Sequence, residues 1–177
     1  MKALCVENLC KEYPSFRLHD VSFSVEEGRI VGLIGRNGAG KSTTMKGLLH
    51  FIRTDGGRVL FFGKDIARHE REIKEQIGYV AGGFSYYPLK KLRSIGKCAA
   101  RFYKGWNADA YKNYLRAFGL DEDKKPSELS DGMKVKYFIA LALSHGAKLL
   151  IMDEPTSGLD PLSREEFCDL ILKVVKE

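Results

Sequence analysis

Two spacings of apolar residues divide the chain into candidate strands and helices. Residues 3–9 (Ala-Leu-Cys-Val-Glu-Asn-Leu) form a strand-like run, and Val21, Phe23 and Val25 alternate with Ser22 and Ser24, as in a half-buried antiparallel strand. Gly28 to Ile34 is a short apolar, β-branched run after a Glu-Gly turn, the pattern of a parallel strand covered on both faces. Arg58 to Phe62, Ile77 to Val80 and Leu149 to Met152 are further short strands. Helical spacing appears first over Lys41 to Ile52, where Met45, Leu48, Leu49 and Ile52 share a face, and then over Ile66 to Gln76, a charged surface helix. From Phe84 to about Ser144 the signals are helical. Leu92, Ile95, Cys98, Ala99 and Phe102 make one stripe; Tyr111, Tyr114, Leu115 and Phe118 make a second, between the cap Asn107 and the stop Gly119. A third helix starts at the N-cap Ser130 and runs through Met133, Tyr137, Phe138 and Leu141 to His145-Gly146. Such stripes read as core packing, and His145, in a last turn where a cation suits the helix dipole, reads as structural. Asp121 to Glu128 is a linker, and Ala81-Gly82-Gly83 is a break where the architecture changes.

Between the run ending at Ile34 and the helix starting at Lys41 lies Gly35-Arg-Asn-Gly-Ala-Gly-Lys-Ser42. Every fixed position of G-x-x-x-x-G-K-[ST] is filled, with Arg36, Asn37, Gly38 and Ala39 in the free ones. Glycines allow successive N–H groups to turn inward around a phosphate, and the helix N-terminus adds unspent donors and a positive dipole end. Lys41 would reach the β- and γ-phosphates, Ser42 would ligate Mg2+, and Thr43 would touch the α-phosphate side. The plain alternative is a glycine-rich turn, which the strand-loop-helix context disfavours.

A second chemical feature ends the run Leu149 to Met152. Asp153 and Glu154 follow it, so two carboxylates reach the carboxyl edge of a sheet, where α/β folds bind ligands. One can hold Mg2+ and the other polarise a water. Upstream, Tyr13 lies in Lys-Glu-Tyr-Pro-Ser-Phe16 between the first two strands; it can stack on an adenine ring or pack at a strand end.

Bulk properties change this picture little. With 177 residues, 44% hydrophobic and 29% charged, the chain suits one globular domain. It has no apolar stretch long enough to span a membrane and no signal-peptide core, so it is expected to be cytoplasmic. Cys5, Cys10, Cys98 and Cys168 show neither C-x-x-C nor zinc spacing and are expected to be reduced thiols. The net charge of +6 is scattered among acids, so no nucleic-acid partner is expected.

The phosphate loop, Leu129-Ser-Asp-Gly-Met133, Leu150-Ile-Met-Asp-Glu-Pro155 and Ser157-Gly-Leu-Asp160 stand in one order along the chain. That order resembles the nucleotide-binding domain of an ATP-binding cassette (ABC) ATPase over nearly the whole length. The resemblance implies an α/β P-loop NTPase fold with a parallel core sheet, an N-terminal antiparallel β-subdomain and an α-helical subdomain. Its parts would be 1–83 (antiparallel strands and phosphate-loop core), 84–146 (helical subdomain) and 147–177 (the Asp153 strand, the D-loop and the following helix). It makes Tyr13 the adenine-stacking aromatic, Asp153 the Walker B aspartate and Glu154 the catalytic glutamate. Leu129 to Met133 match the signature motif, whose Ser130 and Gly132 would bind the γ-phosphate of ATP held by a second subunit, and Ser157 to Asp160 match the D-loop. Phe102 to Asn107 and Ser130 to Lys134 resemble the bacterial exporter ATPases. The resemblance thus implies MgATP, a second nucleotide-binding subunit (a homodimer), a separately encoded transmembrane permease, and a peripheral place on the inner face of the cell membrane.

Three departures accompany it. Ala81-Gly82-Gly83 stands where the family has a glutamine, and Asp131 replaces the first signature glycine, placing a negative charge near a phosphate unless it turns outward or caps the helix. Pro161 to Glu177 reads as one helix, with Phe167, Leu170, Ile171, Val174 and Val175 apolar, where the family continues into a strand ending in a switch histidine. The chain is therefore expected to be a C-terminally truncated form. Two other functions compete: a nucleotide-binding fragment without turnover, and a soluble ABC-type ATPase not tied to transport. Repair relatives of the latter kind carry a long coiled coil for which 84–128 has no room, and translation-factor relatives carry two cassettes.

Overall fold

The computed structural model describes residues 1–81 and 87–175. The chain divides into two compact units, one built from Met1–Lys74 and the other from Glu75–Val174.

In the first unit, strands β1 (Lys2–Tyr13), β2 (Phe16–Glu26), β3 (Gly56–Phe61) and β4 (Lys64–Asp65) form one antiparallel sheet in the order β2-β1-β3-β4. Alternation sets its faces. Val25 is buried and Val21 and Phe23 half-buried, while Ser22 and Ser24 are exposed. Leu4, Val6, Leu9, Val59 and Phe61 are buried, as are Leu48 at the end of helix α1 (Lys41–Leu48) and Leu49 just after it. Helix α2 (Ile66–Lys74) adds Ile66 and Ile73 and kinks at His69.

The expected helix to Ile52 stops at Leu48. His50 takes a left-handed φ of 57°, its N–H donates to Gly47 O, and the Phe51 N–H donates to Lys46 O. This paired closure ends a helix without requiring glycine. A larger correction concerns Gly28 to Ile34. These residues form no strand, and Ile30, Val31 and Ile34 are 55%, 54% and 94% exposed. A parallel strand takes its backbone hydrogen bonds from neighbours on either side, and no described strand pairs with this run.

In the second unit, β5 (Ile77–Ala81) and β6 (Leu149–Asp153) pair in parallel, with Ile77 opposite Leu149 and Ala81 opposite Asp153. Helix α3 (Leu92–Phe102), α4 (Ala108–Ala117), α5 (Asp131–Ser144) and α6 (Pro161–Val174) complete it. Two clusters hold these elements. Leu92, Tyr111, Leu115, Leu120, Leu129 and Tyr137 join α3, α4 and α5. The hydroxyls of Tyr111 and Tyr137 donate to Leu92 O at 3.1 and 3.0 Å, so neither phenol is buried unpaired. Val80, Val135, Phe138 and Ile139 form the second cluster, with Phe167, Leu170, Ile171 and Val174 of α6 against it. A Cβ at Gly78 would lie 2.4 Å from Ala142 Cβ, so β5 touches α5 directly.

The caps Asn107 and Ser130 are where the sequence places them. Asn107 Oδ1 accepts from the N–H groups of Asp109 and Ala110, and Ser130 Oγ from that of Met133. The 121–128 linker caps α3 instead, its Lys124 and Glu122 carbonyls accepting from the Leu92 and Arg93 N–H groups. The expected α3 stripe is only partly inward: Leu92 is buried, but Cys98 and Phe102 are exposed. Gly96 takes the inner position, since a Cβ there would meet the Tyr111 ring at 2.6 Å. Gly82 and Gly83, at the missing glutamine, and Phe84 lie outside the described residues. No helix among the described residues is long and apolar enough to cross a membrane, and the four cysteines are free.

Candidate functional site

In the first unit the phosphate loop is built from two left-handed glycines and a lysine folded back over it. Gly38 and Gly40 have φ of 81° and 95°. Gly40 caps α1, and a Cβ on it would lie 2.7 Å from Phe16 Cζ and 3.0 Å from Leu18 Cδ1. Dihedral and packing therefore both demand glycine there. Its carbonyl accepts from the N–H and hydroxyl of the buried Thr44, which anchors the loop. The Ala39 N–H donates to Arg36 O, closing a turn. Lys41 Nζ donates to the carbonyls of Gly35 and Arg36 at 2.8 and 3.0 Å, so the ammonium is held over the backbone that precedes it. Lys41, Ser42 and Thr43 form the first turn of α1, which has no side-chain cap and no acidic residue. The positive helix end is thus left for an anion from outside. Residues 31–39 are all exposed.

Tyr13 reaches this loop through a residue that sequence reasoning missed. The β1–β2 hairpin pairs Tyr13 with Phe16 across a two-residue turn, and their ring centroids lie 6.5 Å apart. Phe16 in turn packs on Gly40. The contacts run Tyr13–Phe16–Gly40, placing a 40% exposed aromatic beside the loop. Lys11 Nζ stands 5.4 Å from the Tyr13 ring centroid. The available signal was Phe16 itself, an aromatic directly after a tight turn.

The second unit carries the carboxylates. Asp153 is the last residue of β6, opposite Ala81, and Glu154 follows with a left-handed φ of 49°. This conformation is uncommon outside glycine and costs of order 1–3 kcal/mol, a strain that concentrates at functional sites. The turn exposes Glu154 just beyond the strand end. The Asp153 carboxylate in this unit and the Ser42 hydroxyl in the other are each hard oxygen donors of the kind Mg2+ takes. Among the described residues no three of His, Cys, Asp and Glu cluster as an all-protein metal cage.

Signature and D-loop residues meet in this same unit. Leu159 is buried, with its Cδ2 3.7 Å from where a Cβ would stand on Gly132. Asp160 accepts from the N–H and hydroxyl of Ser163 in the first turn of α6, and these bonds hold its carboxyl below the usual range. Ser130, Gly132, Met133, Leu159, Ser163 and Phe167 are among the residues lining a cleft of about 200 Å³. Asp131 does not stand as a bare charge: Lys134 Nζ donates to it at 2.8 Å. His145 corrects the expectation of a dipole-favoured cation. It is 6% exposed and stacked on Tyr103, and burial pushes its pKa down, favouring the neutral ring.

The structure thus gathers Tyr13 with Gly35, Arg36, Asn37, Gly38, Ala39, Gly40, Lys41, Ser42 and Thr43 in one unit. Ser130, Gly132, Asp153 and Glu154 belong to the other.

Comparison with known proteins agrees with these motifs. The family model described as ABC transporter matches residues 18–157. The bacitracin transport ATP-binding protein BcrA of Bacillus licheniformis is 35% identical over 173 residues, covering 96% of this chain and 56% of BcrA. The ABC transporter ATP-binding protein YtrB of Bacillus subtilis (strain 168) is 31% identical over 160 residues, covering 90% of this chain and 54% of YtrB. The chain spans about half the length of these curated relatives. A solved structure of the ATP-binding subunit of an ABC transporter superposes with a TM-score of 0.84 at 31% identity, over 98% of this chain and 75% of that one.

Proposed function

The chain belongs to the ABC transporter family, and from that premise we propose that it is the ATP-binding subunit of a transporter. In this reading it holds MgATP, closes head-to-tail with a second copy so that each signature turn caps the other's nucleotide, and drives a separately encoded membrane permease. Its place is then on the inner face of the membrane, bound through that permease. The observation that carries the reading is the phosphate loop, with its two left-handed glycines, the ammonium of Lys41 held over it and the uncapped start of α1.

Each residue has a chemical task. Lys41 exchanges its two carbonyl partners for β- and γ-phosphate oxygens, and the N–H groups of the loop and of α1 receive the rest. Tyr13 offers its ring to adenine. Ser42 and Asp153 would hold Mg2+, which when bound neutralises phosphate charge. Glu154 aligns the attacking water and takes its proton as the new O–P bond forms and the bond to the ADP oxygen breaks. Ser130 and Gly132 add a hydroxyl and helix-start N–H groups to the second copy's γ-phosphate. Assigning both units to one nucleotide rests on the order of the motifs and on family membership.

Lys41→Ala should weaken ATP binding about 10- to 100-fold in a fluorescent-nucleotide titration, the worth of a lost charge-assisted contact. Glu154→Gln should bind ATP as the wild type does, while turnover beside the permease falls about 10²- to 10⁴-fold. Undiminished turnover in that variant would contradict the role given to Glu154. A second reading, binding without turnover, is favoured by residues 28–34 before the loop, which join no strand ladder among the described residues. It requires a wild-type chain that binds ATP and shows no hydrolysis with its permease.

A further inference from the structure

We propose that Asp131 and Lys134 form a charge-compensated clasp. It ties the signature turn to the D-loop of the same chain and keeps that surface fit for the phosphate of a second copy's ATP. The proposal rests on the two-copy reading above.

The geometry is specific on both sides of the carboxylate. Asp131 is the first residue of α5, next to the cap Ser130. Its Oδ1 accepts from Lys134 Nζ at 2.8 Å, and its Oδ2 lies 3.2 Å from where a Cβ would stand on Gly158. Gly158 has a left-handed φ of 79°, a conformation that favours glycine, and a Cβ there would fit only tightly against Asp131. The next pair along also meets, Gly132 with the buried Leu159. Two successive signature residues therefore lie alongside two successive D-loop residues, and a glycine at position 131 would leave the space beside Gly158 unfilled.

Charge explains why the acid comes with a lysine. A carboxylate at a helix N-terminus is favoured by the helix dipole but repels an incoming phosphate. Lys134, one turn along, cancels that charge without leaving the contact with Gly158. The next cation on the helix, Lys136, is engaged by Glu166 at 2.8 Å, so Lys134 is the counter-ion. The pair is a positioning device, since neither side chain need touch the nucleotide.

The test is a four-protein cycle in the full chain: wild type, Asp131→Asn, Lys134→Met and the double variant. Sedimentation velocity gives the concentration of a non-hydrolysable ATP analogue at half-maximal dimerisation. A fluorescent nucleotide at high dilution gives the affinity of the single chain's own phosphate loop. Lys134→Met should raise the analogue concentration roughly tenfold by baring the carboxylate, and adding Asp131→Asn should recover most of that loss. Affinity of the single chain should stay within about twofold, because the clasp acts on another copy's nucleotide. Lys134→Gln gives the same contrast should the Met variant fail to fold. No loss in the lysine variants, or losses that add in the double variant, would overturn the clasp alone. A wild-type chain that binds nucleotide but stays monomeric would overturn the two-copy reading and the clasp with it.

Discussion

Arg29-Ile-Val-Gly-Leu-Ile34 and Leu149-Leu-Ile-Met-Asp153 carry the same signal, a short apolar run leading into a motif for phosphate chemistry. Their outcomes differ. The second run pairs residue by residue with β5, and its Met152 packs against the cluster of Val80, Val135, Phe138 and Ile139; Ile151 is 6% exposed. The first joins no ladder among the described residues and leaves Ile34 94% exposed. An apolar, β-branched run is thus a permission to be a strand, and the neighbour that supplies hydrogen bonds decides. The phosphate loop keeps its form without such a strand because its bonds are local: Lys41 to Gly35 and Arg36, Thr44 to Gly40, and Phe16 against Gly40.

The sharpest way to break this comparison is to make the same truncation in both runs. Ile151→Ala should cost about 2–5 kcal/mol in urea unfolding, the range for a buried isoleucine. Ile34→Ala should stay within about 0.5 kcal/mol, as for an exposed site. Equal losses would mean that the first run is packed in solution.

A smaller effect tests the burial that the second unit achieves. His145 has Nδ1 buried without a hydrogen-bond partner among the described residues, and burial holds its pKa below the ordinary 6.5. Above that pH neither folded nor unfolded chain binds the proton, so the ring contributes nothing. As pH falls from 6.5 toward the lower folded value, the unfolded chain takes up a proton that the native ring refuses, and stability is lost. His145→Gln should flatten that part of the Tm-against-pH curve. An unchanged slope in the variant would show that other groups set it.

What could be read from sequence divides along the same line. Asn107, Ser130 and Gly119 marked helix ends correctly because caps depend on residues a few positions away. Strands at 3–9 and 21–25 and the Asp153 strand were legible from alternation and from a buried run, whereas the extension of the first two into one hairpin closing at Tyr13 and Phe16 depends on their pairing with each other. Residues 28–34 were misread because ladder partners lie far along the chain. Cys98 and Phe102 were misread because a helical stripe does not say which neighbour will cover it. At the site the glycines and Lys41 were legible as a motif, whereas Phe16 and Gly158 act through contacts distant in sequence. Lys134 was within reach, standing three residues after Asp131 on one helix face.

The loop Gly35 to Ser42 should receive a nucleotide's phosphates. Amide hydrogen exchange over residues 29–44, with and without MgATP, tests it most directly. Exchange across 29–34 should be fast in both conditions, and exchange over 35–44 should slow markedly when MgATP is added, a slowing lost in Lys41→Ala. Unchanged exchange over 35–44 at saturating MgATP, or the same slowing in the alanine variant, would contradict it.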